Sequence, residues 1–132
     1  MSAILDDDAQ AAMVALVLDD DLVAHEVLSE RLHRLGFQVR RATTGEQALV
    51  DATTHPPDLL LLDLLLPGLD GWAVARQLRA NPATAGVRII VVSALDQAGE
   101  APPVTIDGYL TKPFIKVEFD AMVRRVMARQ PG

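Results

Sequence analysis

The stretch Leu59-Leu60-Leu61-Leu62-Asp63-Leu64-Leu65-Leu66-Pro67-Gly68-Leu69-Asp70-Gly71 decides the fold of this chain. A short, continuous apolar run describes a strand buried on both faces, and such strands belong to parallel sheets covered by helices. Asp63 closes the run. In open α/β sheets, ligand chemistry gathers at the carboxyl ends of the strands, so the chain delivers a carboxylate to that edge. Beyond it, Asp70 suits the cap of a following helix, and Gly71 allows close approach of the backbone.

Working outward, Met13 to Leu18 is an apolar, partly β-branched stretch that stops at Asp19-Asp20-Asp21, as a buried strand feeding an acidic loop does. Val23, Val27, Leu28, Leu32 and Leu35 recur at helical spacing, with Asp21 at the helix start and Gly36 at the terminator position. Phe37 to Ala42 forms a second strand. Thr44 to Gln47 fits a capping box, and the helix it opens ends by His55-Pro56-Pro57. After the third strand, Leu59 to Asp63, a helix runs from Asp70 or Gly71 through Leu78 and stops at Asn81-Pro82. Val87 to Ser93 is a fourth strand, Gly108 to Thr111 a fifth, and Val117, Phe119, Met122, Val123 and Val126 mark a last amphipathic helix. Strands alternating with helices require right-handed crossovers and a parallel sheet. One connection breaks the pattern. Between Ser93 and Gly108 the residues include Gly99, Pro102 and Pro103, and an interior proline costs a helix about 3 kcal/mol. At most a single turn is expected there, around Asp96 to Glu100.

The 132 residues suffice for one domain, and half of them are hydrophobic. The expected division is an acidic extension over 1–12, one domain over 13–129, and a polar tail over 130–132 that ends the chain or begins a linker. The absence of cysteine excludes a disulfide scaffold, a thiolate zinc site and a thiol nucleophile, and suits a cytoplasmic location. A net charge of −6 argues against direct nucleic-acid binding. No apolar run approaches the roughly 20 residues of a membrane helix.

In a parallel sheet the strand ends bring Asp19, Asp20, Asp21, Asp63, Ser93 and Lys112 to one edge. Carboxylates gathered there repel by a few kcal/mol per pair at an effective dielectric near 20, so they share a cation or a proton. All-oxygen ligation selects a hard ion, and Mg²⁺ keeps waters and pairs with phosphate. A lysine supplies a point charge for a phosphoryl oxygen, and a serine hydroxyl can donate to another. Lys112 is one of only two lysines beside ten arginines, which sharpens the significance of its position. Asp6-Asp7-Asp8 has the composition of Asp19-Asp20-Asp21 without a long strand before it, and reads as solvated surface. His25, His33 and His55 are scattered and read as surface residues.

Four stretches, Leu16-Val17-Leu18-Asp19-Asp20-Asp21, Leu60-Leu61-Leu62-Asp63 with Pro67 and Asp70-Gly71, Val91-Val92-Ser93-Ala94, and Tyr109-Leu110-Thr111-Lys112-Pro113-Phe114, occur in the order and spacing of response-regulator receiver domains. The resemblance covers roughly Ala15 to Met127. It implies a flavodoxin-like, doubly wound five-stranded parallel sheet of order 2-1-3-4-5 in a single domain. It further implies Asp63 as phosphoacceptor and Asp19, Asp20, Asp63 and the backbone carbonyl of Leu65 as Mg²⁺ ligands. Ser93 would be the switch hydroxyl, Tyr109 the switch aromatic, Lys112 the phosphoryl contact, and Pro113 a cis proline. The implied partners are a histidine kinase or histidine phosphotransfer protein and a downstream protein; the implied role is a phosphorylated switch rather than an enzyme.

The chain departs from the family in two places. Ser93 and Lys112 lie 19 positions apart, a few short of the family span, so the fourth helix is expected to be shortened or missing and the coupling from Ser93 to Tyr109 altered. Leu65 and Leu95, each two residues beyond a site residue, offer no polar group to orient an attacking water and are expected to shield the phosphoryl group. Two other readings stand beside the receiver: an interaction domain of the same shape that acts without phosphorylation, and a Mg²⁺-dependent phosphatase. The phosphatase would want an acid where Leu65 stands.

Overall fold

The computed structural model describes residues 12–95 and 101–129. In chain order the elements are β1 (Met13–Leu18), α1 (Leu22–Arg34), β2 (Phe37–Ala42), α2 (Gly45–Thr54), β3 (Leu59–Leu62), α3 (Gly71–Ala80), β4 (Arg88–Ser93), β5 (Gly108–Thr111) and α4 (Lys116–Ala128). The five strands form one parallel sheet of order β2-β1-β3-β4-β5, the flavodoxin-like arrangement. β3 is buried along its whole length, which explains why its sequence is apolar without alternation.

Two apolar layers cover the sheet. On one face Leu28 and Leu32 of α1 and Phe119, Val123 and Val126 of α4 pack on Ala15, Val17, Leu61 and Ile90. On the other, Ala48 and Ala52 of α2 and Val74, Ala75 and Leu78 of α3 pack on Leu16, Leu60, Leu62 and Val91. Helix boundaries follow local chemistry. The Asp21 carboxylate accepts from Val23 N at the start of α1 (2.9 Å), Thr44 Oγ1 accepts from Gln47 N in α2 (3.1 Å), and Asp70 accepts from Ala73 N in α3 (2.9 Å). Gly36, at φ +95°, takes the left-handed conformation just past α1.

Among the described residues no helix lies between β4 and β5. Residues 101–107 are irregular, and Val104 and Ile106 pack against the apolar layer of α2 and α3. The turn expected around Asp96 to Glu100 falls outside the described residues, as do 1–11 of the N-terminal extension and the tail 130–132. Beyond that packing, one side chain gathers much of this connection's polar contact. Arg79, in the last turn of α3, donates to the carbonyls of Thr105 (2.9 Å), Ala85 (3.0 Å) and Val87 (2.5 Å) and to Asp107 Oδ2 (3.1 Å). Asp107 Oδ2 also accepts from Ile89 N at 2.7 Å, so the guanidinium ties α3, the start of β4 and the irregular segment together.

One histidine departs from expectation. His33 and His55 are exposed as anticipated, but His25 is only 1% exposed, enclosed between α1 and the end of β2. Of the apolar positions that the helical spacing picked out in α1, Leu28 and Leu32 are buried while Val23 and Val27 are exposed, and the spacing had no means of showing that position 25 shares the buried face.

Replacing Arg79 with alanine removes four charge-assisted hydrogen bonds from a half-enclosed site. A loss of about 2 kcal/mol in unfolding free energy is expected, with hydrogen exchange accelerated across 101–107 more than in β1 or β3.

Candidate functional site

The sheet register sets the site. Leu18 is level with Leu62, so the next residues, Asp19 and Asp63, stand side by side at the ends of β1 and β3. Ser93 is level with Thr111, so Lys112 leaves β5 directly beside the end of β4. Main-chain bonds extend this order past the strands: Asp63 N donates to Leu18 O (3.0 Å) and Lys112 N to Ser93 O (2.8 Å).

Asp19 and Asp63 are 1% and 7% exposed, whereas Asp20 faces solvent. Carboxylate oxygens of all three lie within 4.8 Å of one another. Lys112 Nζ reaches Asp19 Oδ2 at 2.7 Å and Asp63 Oδ2 at 3.4 Å. Burial pulls the Lys112 ammonium down, but the hydrogen bond to Asp19 and the charges of Asp63 and Asp19 outweigh it and hold its pKa above the ordinary lysine value. The lysine is therefore a fixed positive charge at neutral pH.

The remaining carboxylate atoms are held from the backbone. Asp19 Oδ1 accepts from Asp21 N (2.9 Å), and Asp63 Oδ1 accepts from Leu65 N (3.0 Å). Ser93 is fully buried; its Oγ accepts from Leu95 N at 3.2 Å, leaving the hydroxyl hydrogen to donate elsewhere. The Tyr109 hydroxyl donates to the Leu95 carbonyl, so Ser93, Leu95 and Tyr109 form a connected series. Tyr109 is half-buried against the α2–α3 layer. The Lys112–Pro113 peptide bond is cis.

Three carboxylates and one ammonium leave two negative charges in the cluster. Unit charges 4.8 Å apart repel by about 3 kcal/mol at an effective dielectric near 20, so a divalent cation matches the deficit. The donors are oxygens alone, without imidazole or thiolate, and one acid is exposed to solvent. That set fits Mg²⁺ rather than a softer metal. Leu65 and Leu95 lie at the surface beside the site, 53% and 37% exposed.

Gly71 secures the placement of Asp63 from behind. A Cβ there would sit 2.7 Å from Asp63 O and 2.8 Å from Leu64 Cα, so α3 packs against the end of β3 only because this residue has no side chain. The sequence had singled out Gly71 and the cap of Asp70, and the geometry gives the reason for both. His25 was not among the candidate residues, although its Nε2 lies 2.8 Å from Ala42 O, the carbonyl to which Asp19 N also donates (3.3 Å).

The profile of the response regulator receiver domain matches residues 15–124. The chain belongs to that family, and its fold and strand-end cluster are those of a receiver of the two-component type. The DNA-binding dual master transcriptional regulator RpaA of Synechocystis sp. is 35% identical over 117 residues, covering 86% of this chain and 48% of RpaA. The alkaline phosphatase synthesis transcriptional regulatory protein PhoP of Bacillus subtilis is 37% identical, with the same coverage of both chains. This chain thus spans about half the length of the curated relatives it matches. Among solved structures, the receiver domain of sensor histidine kinase PA1611 from Pseudomonas aeruginosa, which carries a magnesium ion coordinated in its active-site cleft, superposes with a TM-score of 0.82 at 30% identity. The match covers 90% of this chain and all of that one.

Gly71→Ala is expected to lower unfolding free energy by about 1–3 kcal/mol through overpacking against main chain that has nowhere to move. Chemical denaturation measures it, and an unchanged midpoint would show that α3 can shift away from Asp63 without cost.

Proposed function

We propose that this domain accepts a phosphoryl group on Asp63, with Mg²⁺ held by Asp19, Asp20, Asp63 and the Leu65 backbone carbonyl, and that the modified site changes partner interactions. The observation that carries this reading is the Lys112 ammonium shared between Asp19 and Asp63, with Asp20 alongside. A buried carboxylate beside a fixed cation at a strand end is poised as a nucleophile whose product charge is already matched.

Phosphoryl transfer gathers charge on the three equatorial oxygens, so catalysis is positioning plus electrostatics. A carboxylate oxygen of Asp63 forms the new bond to phosphorus while the bond from phosphorus to a donor histidine nitrogen breaks. The product is an acyl phosphate. The Lys112 ammonium pairs with one phosphoryl oxygen, and the Ser93 hydroxyl donates to another. Bound Mg²⁺ supplies further charge neutralisation for the phosphoryl group. Ser93 drawn toward the phosphoryl group moves the main chain of Leu95, and through it the hydroxyl of Tyr109, which is the switch we assign to those residues.

The donor is a histidine kinase or histidine phosphotransfer protein. In support, the mouth of the site carries exposed apolar residues on two neighbouring segments: Leu22, Val23 and Val27 of α1, and Ile115 and Val117 beyond Lys112. A groove of about 510 Å³ between those segments reaches Lys112 itself. No described helix is long and apolar enough to cross a membrane. We place the domain in the cytoplasm, acting as a switch rather than as an enzyme, with a protein as its downstream target. The alternative of an interaction domain indifferent to phosphorylation leaves the assembled lysine and acids without a purpose.

Incubation with acetyl phosphate and Mg²⁺ is expected to add about 80 Da to the intact mass, and Asp63→Asn is expected to abolish the adduct. No adduct from acetyl phosphate or from a phosphohistidine donor would overturn the proposal. Leu65 and Leu95 are assigned as shields against attacking water. Leu65→Asn, which offers a polar group at the mouth, is expected to speed loss of the phosphoryl group several-fold, well below the roughly 10²–10⁴ that a fully positioned proton-transfer group supplies. Equal decay rates in the two proteins would rule the shielding out.

A further inference from the structure

Among the described residues, the buried ionisable side chains are Asp19, Asp63 and His25, and only His25 has no part in the chemistry above. It sits in the second turn of α1, on the face that Leu28 and Leu32 present to the core. Its Nε2 donates to Ala42 O at 2.8 Å, while its Nδ1 is buried without a hydrogen-bond partner among the described residues, as is Ser29 Oγ one turn further on. That balance is unfavourable for stability. A buried polar atom left without a partner costs more than one neutral hydrogen bond returns, so a leucine there would pack at least as well. Ala42 O, moreover, also accepts from Asp19 N and would not be orphaned without the histidine.

What the histidine does provide is a tie between three pieces of main chain. Ala42 O receives Asp19 N from one side and the His25 ring from the other. The His25 backbone N–H in turn closes the first turn of α1 on Asp21 O at 3.0 Å. Asp20 lies between the two anchored residues and makes no hydrogen bond of its own among the described residues, so its direction is set entirely by the chain on either side of it. We propose that His25 is a positioning residue for the acidic loop, fixing through Ala42 the main chain that aims Asp20 and Asp19 at a divalent cation. This rests on the Mg²⁺ reading of the site and adds to it a residue that touches neither metal nor phosphoryl group.

The test separates positioning from packing, because the two should move in opposite directions. Titration calorimetry with MgCl₂ alone, without phosphodonor, is expected to show Mg²⁺ affinity reduced about five- to ten-fold in His25→Leu, at or just below the lower end of the effect typical of groups that orient metal ligands. Its Tm is expected to be unchanged or higher. His25→Gln, which keeps a nitrogen donor at comparable reach, should bring affinity back to within about two-fold of wild type. Wild-type affinity in His25→Leu, failure of the glutamine to restore it, or a fall in Tm or loss of folding in His25→Leu would each overturn the role. Asp19→Asn serves as the control. If the wild-type protein binds no Mg²⁺, the metal reading fails and this one with it; if it binds, Asp19→Asn does not, and His25→Leu is unaffected, only the role of His25 falls.

Discussion

Carboxylates packed within 4.8 Å of one another repel, and two of the three here, Asp19 and Asp63, are also withdrawn from water. Both effects oppose the folded state, each by an amount comparable with a large share of a small domain's net stability. The structure tolerates them because Lys112 lies between the two buried acids and because Asp21 N and Leu65 N each donate to one of them. The rest of the molecule is arranged around that compensation. Parallel strands bring three chain segments to one edge, Gly71 lets α3 lie against Asp63, and the bond from Lys112 N to Ser93 O sets the point at which the lysine leaves the sheet. Stabilisation by one ammonium is incomplete, and the three carboxylates keep an excess of negative charge that a divalent cation would balance.

The connection between β4 and β5 shows a different solution to a common problem. A helix in this place would satisfy its own backbone and cover the sheet with one apolar face. Residues 101–107 have no helical ladder to satisfy their backbone. Val104 and Ile106 provide the cover, and Arg79 satisfies backbone carbonyls on both sides of the gap. A segment held by side-chain bonds rather than by a helical ladder has fewer cooperative contacts, and segments of that kind open at lower free energy than the core. Ser93 and Leu95 stand at one end of the same connection and Tyr109 at the other, joined by hydrogen bonds through Leu95.

Much of this is legible in the sequence. The unbroken leucines of β3 read as a doubly buried strand because burial on both faces removes the polar alternation an exposed face would impose. Asp21, Thr44 and Asp70 read as caps because short polar side chains satisfy the free N–H groups of a first turn. Pro102 and Pro103 ruled a full helix out of the β4–β5 connection because proline can neither donate nor fit inside one. Asp19, Asp20, Asp63, Ser93 and Lys112 stood at strand ends by sequence position alone, and parallel pairing carried them to one edge.

Other features depended on contacts between residues far apart in the chain. His25 looked like a surface residue because a histidine at helical spacing carries no sign of what lies opposite it; its partner, Ala42 O, is a backbone atom 17 positions away. Arg79 was one arginine among ten until the carbonyls of Ala85, Val87 and Thr105 were seen to converge on it. By itself the sequence determined which residues form elements and which carry chemistry, since periodicity, capping and strand-end placement are local properties. Only the tertiary structure decided how the acids share one lysine, which histidine is buried, and what anchors residues 101–107, because each of these depends on distances that the chain reaches only once it is folded.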